Sequence, residues 1–158
     1  MGGTPFLVTC PIDCFSIVHV RTRPGGIEGP PDRSKTLRAV EAAMRLAGGS
    51  LGAEVEVWSP LPVGKGMASS TADVCAGALA ASLAVGRPLG AEDLADLALS
   101  IEPSDGLMFP GIAIFDHRSG GLRRTLGTPP PMEVCVFDTG GEVDTVRFNS
   151  RPDLAELN

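Results

Sequence analysis

Phe6-Leu7-Val8-Thr9-Cys10 is a short apolar run, and Phe15 to Arg21 alternates apolar with polar residues. The first predicts a strand and the second a half-buried strand, because successive strand side chains point to opposite faces. Pro11-Ile12-Asp13 separates the two. Arg23-Pro24-Gly25-Gly26 and Glu28-Gly29-Pro30-Pro31 then make a loop. Leu37, Val40, Met44 and Ala47 recur at spacings of three and four, which predicts a helix with one apolar face, Ser34 as its N-cap and Gly48-Gly49 as its end. Leu46 lies off that stripe, so the face is expected to widen toward the helix end. Ala53 to Trp58 alternates again and predicts a strand. From Ser69 to Leu83 nearly every residue is small or apolar, which predicts a helix buried on most sides. Ala91 to Ser100 predicts another helix, with acidic residues in its first turn. Gly111–Asp116, Gly121–Leu126 and Glu133–Asp138 predict three further strands, the last two joined by the rigid Pro129-Pro130-Pro131. Arg151 to Leu157 reads as the first turns of one more helix.

Several of these strands are neighbours in sequence, and there is no clean β-α-β-α alternation. That predicts an α+β domain with a mostly antiparallel sheet and packed helices. A length of 158 residues suits one domain with a real core. Aromatic residues make up 4%, with no Tyr, so the core must be aliphatic. The net charge of −6 comes with no basic stripe, which argues against nucleic acid as a partner. No apolar run is long enough for a transmembrane helix, and the N-terminus does not read as a signal peptide. A cytoplasmic protein without a membrane partner is expected. Cys10, Cys14, Cys75 and Cys135 lack the spacing and partner ligands of a metal site and are expected to be buried, reduced thiols.

One segment carries chemistry. Ser59 to Thr71 joins a strand to the small-residue helix and contains Pro62-Val63-Gly64-Lys65-Gly66-Met67-Ala68-Ser69-Ser70-Thr71. Gly64 and Gly66 allow conformations closed to other residues and a close approach of backbone to ligand. The N–H groups of Ala68, Ser69 and Ser70 fall in a first helical turn, where they have no helical acceptor and suit a triphosphate. The hydroxyls of Ser69, Ser70 and Thr71 can reach phosphate or Mg²⁺, and Lys65 adds a point charge. No G-K-[ST] triplet is present, so this is not a Walker loop. Spacing alone leaves a plain glycine turn with a serine helix cap equally open.

The string from Pro62 to Asp73 resembles the signature loop of the GHMP kinases, P-x-x-x-G-L-G-S-S-A, with Met67-Ala68 in place of Leu-Gly and Thr71 in place of the first Ala. Together with Cys10-Pro11-Ile12-Asp13, Ile101-Glu102-Pro103-Ser104-Asp105 and Phe137 to Thr145, the chain is most similar to the L-threonine kinase branch, which serves cobalamin assembly. The resemblance runs from Thr4 to Asn149. It implies a ribosomal-protein-S5-like α+β fold, ATP and Mg²⁺ as cofactors, and a small-molecule acceptor, L-threonine foremost. Pro62, Gly64, Lys65, Gly66, Met67, Ala68, Ser69, Ser70 and Thr71 would bind nucleotide, and Ser70 and Glu102 the metal. Asp105 would meet the acceptor hydroxyl as the catalytic carboxylate. The spacing of Glu102 departs from the family's usual one, and both carboxylates also fit simple turn caps.

Other polar residues weigh less. Asp73 reads as a surface charge near a helix start, and Asp138-Thr139-Gly140-Gly141-Glu142 as either a wall of the acceptor pocket or a solvated hairpin. His117 has no orienting partner near it in sequence. The resemblance further implies that residues 1–149 form the ATP-binding domain without its first hairpin, and that 150–158 begin a second domain. A glycine-rich loop of that second domain is not found. Three outcomes stay open: an L-threonine kinase, a kinase of another small acceptor, or a module that needs a second copy or a partner chain supplying the missing domain.

Overall fold

The computed structural model describes residues 5–48 and 52–142. In chain order the elements are β1 (Leu7–Thr9), β2 (Ile17–Arg23), β3 (Ile27–Glu28), α1 (Ser34–Leu46), β4 (Gly52–Trp58), α2 (Ser69–Ala84), α3 (Ala91–Ile101), β5 (Ile112–Phe115) and β6 (Arg123–Gly127). The α+β class and the mainly antiparallel pairing are as expected. The described strands, however, divide into two three-stranded sheets. In one, β4 lies between an antiparallel β2 and a parallel β3; in the other, β5 lies between β1 and β6, antiparallel to both.

The period-two pattern explains which face of the first sheet is covered. Val18 sits opposite Val57 and Val20 opposite Val55, so one face is apolar. His19, Arg21, Glu54 and Glu56 fall on the other, where the Arg21 guanidinium meets Glu54 at 3.1 Å. Helices α1 and α2 lie against this sheet and α3 packs against both of them, and the core is aliphatic: Val18, Val40, Met44, Val55, Val74, Leu94 and Leu97 among alanines.

The start of α1 differs from expectation. A 3-10 turn at Pro31–Arg33 leads directly into the helix, so Ser34 is already helical and Arg33 occupies the cap position. Pro31 favours this entry because its fixed φ suits a first turn and it has no N–H to satisfy. Leu46 is 63% exposed, so the apolar face does not widen at the helix end. Helix α2 lies against α1, and Gly77 is where they come closest: a Cβ there would stand 2.8 Å from Cγ2 of Thr36. The far side of α2 is open, with Leu79 and Leu83 exposed, so it is less enclosed than its composition suggested. Its end is a Schellman turn, with the Gly86 N–H on the Leu83 carbonyl and the Arg87 N–H on that of Ser82, both at 2.9 Å.

The strand expected at Glu133–Asp138 is not formed; these residues are exposed and make no ladder. An apolar run favours a strand only where a neighbouring strand can pair with it, and no described strand does. The helix expected from Arg151, and the start of a second domain at 150–158, lie outside the described residues. The cysteines are free, but Cys10, Cys14 and Cys75 are only half-buried and Cys135 is exposed. No described helix is long and apolar enough to cross a membrane.

Candidate active site

Between β4 and α2 the chain takes left-handed conformations at alternate positions: Gly64 at φ 72°, Gly66 at φ 71° and Ala68 at φ 53°. Glycine adopts such angles freely, whereas alanine pays a steric cost. The curl delivers Ser69 as the first residue of α2 and leaves Ala68, which has no polar side chain, at the cap. The simple serine-cap reading is thereby set aside. The N–H groups of the first turn keep no side-chain cap and point, with the positive end of the helix, to where an anion would lie.

Two carboxylates reach this helix start from the segment after α3. Pro103 disfavours helical geometry in the residue before it. Accordingly α3 stops at Ile101, and Glu102 is extended at φ −164°, ψ 164°. That turn sends the Glu102 side chain back to α2, where it accepts a hydrogen bond from the Ser70 hydroxyl and pairs with the Lys35 ammonium from the start of α1. Three residues on, the Asp105 N–H donates to Oγ1 of Thr71 at 3.2 Å, and the Thr71 hydroxyl approaches Oδ2 of Asp105 at 3.4 Å. The segment is pinned further along. The Gly106 N–H donates to Oγ1 of Thr9 on β1, and the Ser104 N–H donates to the His117 carbonyl, both at 3.0 Å. The expected pair Glu102 and Asp105 thus meets consecutive hydroxyls, Ser70 and Thr71.

The surroundings tune Asp105. Burial pushes its carboxyl above the usual range, the Thr71 bond and the charge of His117 pull it down, and Glu102 adds to the rise. His117 therefore does have an acidic neighbour, which its sequence context did not reveal. Burial, reinforced by Asp105, pushes the Cys75 thiol up to about 12, so it stays protonated.

Two further residues depart from expectation. Asp73 is not a surface charge but is 3% exposed, accepting from the Ser16 hydroxyl at 2.6 Å and the Arg33 guanidinium at 2.7 Å. It ties the first turns of α2 to the residue before β2 and to the cap of α1. Lys65 does not stand free over the loop: its ammonium meets Asp138 at 3.0 Å and the Gly141 carbonyl at 2.7 Å. The Lys65 ammonium, with the Gly140 N–H beside it, holds the Asp138 carboxyl below its ordinary value against a small opposing effect of desolvation. Pro62, Gly64, Lys65 and Met67 form one wall of a cleft of about 300 Å³, with residues 136–142 as the other. A larger cavity of about 920 Å³ lies between α1 and α3, lined by Leu46, Arg87 and Leu97, and includes none of the residues that carry chemistry.

The donors at Ser70 and Glu102 are hard oxygens, and the Lys35 ammonium on Glu102 shows that a cation is accommodated there. Among the described residues no three acidic, His or Cys side chains gather into an all-protein metal cage. That donor set suits Mg²⁺, which commonly takes one or two protein ligands and completes its shell with phosphate and water.

A family model for the GHMP kinases N terminal domain matches residues 34–112. The chain is 36% identical over 156 residues to the L-threonine kinase of Salmonella typhimurium, covering 98% of this chain and 52% of that one. It is 32% identical over 151 residues to the L-threonine kinase of Citrobacter freundii, covering 95% and 52%. The chain thus spans about half the length of these curated relatives. Among solved structures, a mevalonate kinase superposes with a TM-score of 0.65 at 14% identity, over 78% of this chain and 50% of that one. The mevalonate kinase of Methanococcus jannaschii gives 0.64 at 12% identity over the same shares, and these two likenesses bear on the fold.

Proposed function

Since the chain belongs to the GHMP kinase N-terminal domain family, we propose that it is the nucleotide-binding half of an ATP-dependent kinase that phosphorylates a small hydroxyl acceptor, L-threonine. The observation that carries this reading is the pairing of Ser70 with Glu102 and of Thr71 with Asp105 at one uncapped helix start.

The triphosphate rests on the Gly64–Thr71 loop, where backbone N–H groups and the α2 dipole offset its charge. Ser70 and Glu102 would hold Mg²⁺, which would supply positive charge against the phosphate oxygens. Asp105 accepts a hydrogen bond from the acceptor hydroxyl and aims it in line. As the new bond to the γ-phosphorus forms and the bond to the β–γ bridging oxygen breaks, the hydroxyl proton passes to Asp105 and ADP leaves. A carboxyl raised by burial takes that proton more readily than an ordinary one. The acceptor is L-threonine because the two curated relatives carry that name. As the family resemblance implies, the product serves cobalamin assembly; the cytoplasm is the compartment expected from the sequence. A second reading, that this half acts only alongside a further domain or partner chain, is favoured by Val134, Val136 and Phe137, which stand exposed beside the loop.

Calorimetry with Mg²⁺ and a non-hydrolysable ATP analogue tests the nucleotide site, and Gly66→Val should abolish the heat. ADP release with L-threonine tests the chemistry, and Asp105→Asn should slow it by about 10²–10⁴-fold with nucleotide affinity unchanged. No nucleotide binding by the wild-type chain, or ordinary turnover by the variant, refutes the reading.

A further inference from the structure

Lys35 belongs to none of the motifs that mark the site, yet it makes the most direct contact with it. Its Cα lies one residue into α1, on a different element from both the loop and the carboxylates. Its ammonium pairs with Oε2 of Glu102, while Oε1 of the same carboxylate takes the Ser70 hydroxyl. The Glu102 side chain is 14% exposed, so its charge is largely withdrawn from water and needs a partner. Lys35 is 48% exposed, so its flexible stem is free to swing into solvent.

We propose that Lys35 is a positioning residue that occupies the cation seat of the nucleotide-free site, keeping Glu102 turned toward Ser70 until a divalent ion displaces it. The inference rests on the assignment of Glu102 and Ser70 to the metal. An ammonium on one carboxylate oxygen neutralises the charge that would attract Mg²⁺, and it repels the ion directly. The ion alone therefore binds weakly, and the seat is filled when nucleotide phosphates add their charge to the same point. The displaced ammonium, at the mouth of the site, is then within the field of those phosphates. The device favours ordered arrival, with the ion entering together with its nucleotide.

Mn²⁺ is the probe, followed by its electron paramagnetic resonance signal with and without a non-hydrolysable ATP analogue. Lys35→Met should tighten the binding of Mn²⁺ alone by about fivefold or more, the scale of one partly exposed ion pair plus the lost repulsion. The gain should shrink at high salt. Lys35→Arg, which keeps the charge, should stay near wild type, and Lys35→Met combined with Glu102→Gln should lose the gain. If Lys35→Met leaves Mn²⁺ binding unchanged, weaker or undetectable while Glu102→Gln still weakens the Mn²⁺–nucleotide complex, the role of Lys35 is overturned and the metal assignment stands. If Glu102→Gln leaves that complex unaltered, the assignment falls and Lys35 with it.

Discussion

Replacing Ala68 with glycine should stabilise the protein, although it removes a methyl group from a half-buried position. Ala68 is the one non-glycine residue with positive φ among those described, at φ 53° and ψ 27°. A side chain with a Cβ in this region costs roughly 1–2 kcal/mol through its clash with the following carbonyl. Glycine removes that cost but loses about 0.5–1 kcal/mol to the greater freedom of its unfolded chain. Half a methyl's burial subtracts a further ~0.4 kcal/mol. The balance is a gain of roughly 0.3–0.4 kcal/mol, or about 1 °C in Tm for a domain of this size. Ala68→Val bears on the same angle from the other side: a β-branched residue fits it worse than alanine, and a loss of about 1–2 kcal/mol is expected. Urea denaturation followed by circular dichroism should rank the three as glycine, alanine, valine. A glycine variant less stable than wild type, beside a valine variant equal to it, would show that residue 68 is not left-handed. The loop geometry built on it would then be wrong.

At the α1–α2 contact, Gly77→Ala gains about 1 kcal/mol of helix propensity but drives a methyl to 2.8 Å from Thr36, itself 2% exposed. A net loss of about 1 kcal/mol in urea midpoint measurements is expected, and a more stable variant would refute the tight contact. Ala78→Leu should cost ~1–3 kcal/mol at a fully buried site, whereas the half-buried Ala80 should accept leucine at less cost. Asp116 is buried, which alone would raise its carboxyl, but bonds from Ser119, Arg118 and Gly121 bring it down to about 2. Its folded value thus lies below the unfolded one of 3.8, so its stabilisation is complete above that value and fades as pH falls toward 2. Asp116→Asn should cost about 1–3 kcal/mol near neutral pH, and the gap should close in acid; a gap constant down to pH 2 would refute the assignment. Asp105 runs the opposite way, its folded carboxyl lying above the unfolded value. Its contribution is lost as pH rises through that range, so Asp105→Asn should unfold at a higher temperature at neutral pH even as turnover collapses.

Periodicity located the helices and most strands to within a few residues, because their apolar faces are buried against one another. It failed where pattern and partner part company. Glu133–Asp138 carries a strand-like apolar run from Val134 to Phe137, but no described strand pairs with it. Leu46 is apolar and exposed because it lies off the stripe whose members Met44 and Ala47 are buried on either side of it. At the site, the resemblance to the family motif singled out the loop and its two carboxylates, because glycine frees the backbone and spacing alone leaves a plain capped turn equally open. Pairings across long stretches of chain were not: Lys35 with Glu102, Asp73 with Arg33 and Ser16, and Lys65 with Asp138 each join segments that no local pattern links. Asp73 was misread for that reason, as a charge near a helix start looks solvated until its distant partners are known.

Thr71 stands where the family pattern has alanine, and its hydroxyl is what fastens the Asp105 segment to α2. An alanine there would leave the phosphate cradle intact and the acidic segment untied at that point. For anyone grafting loops between members of this family, the two pieces are therefore not independent modules. A loop brought in with alanine at this position must come with the acidic segment that evolved beside it, and the threonine here is the seam along which such a chimaera would come apart.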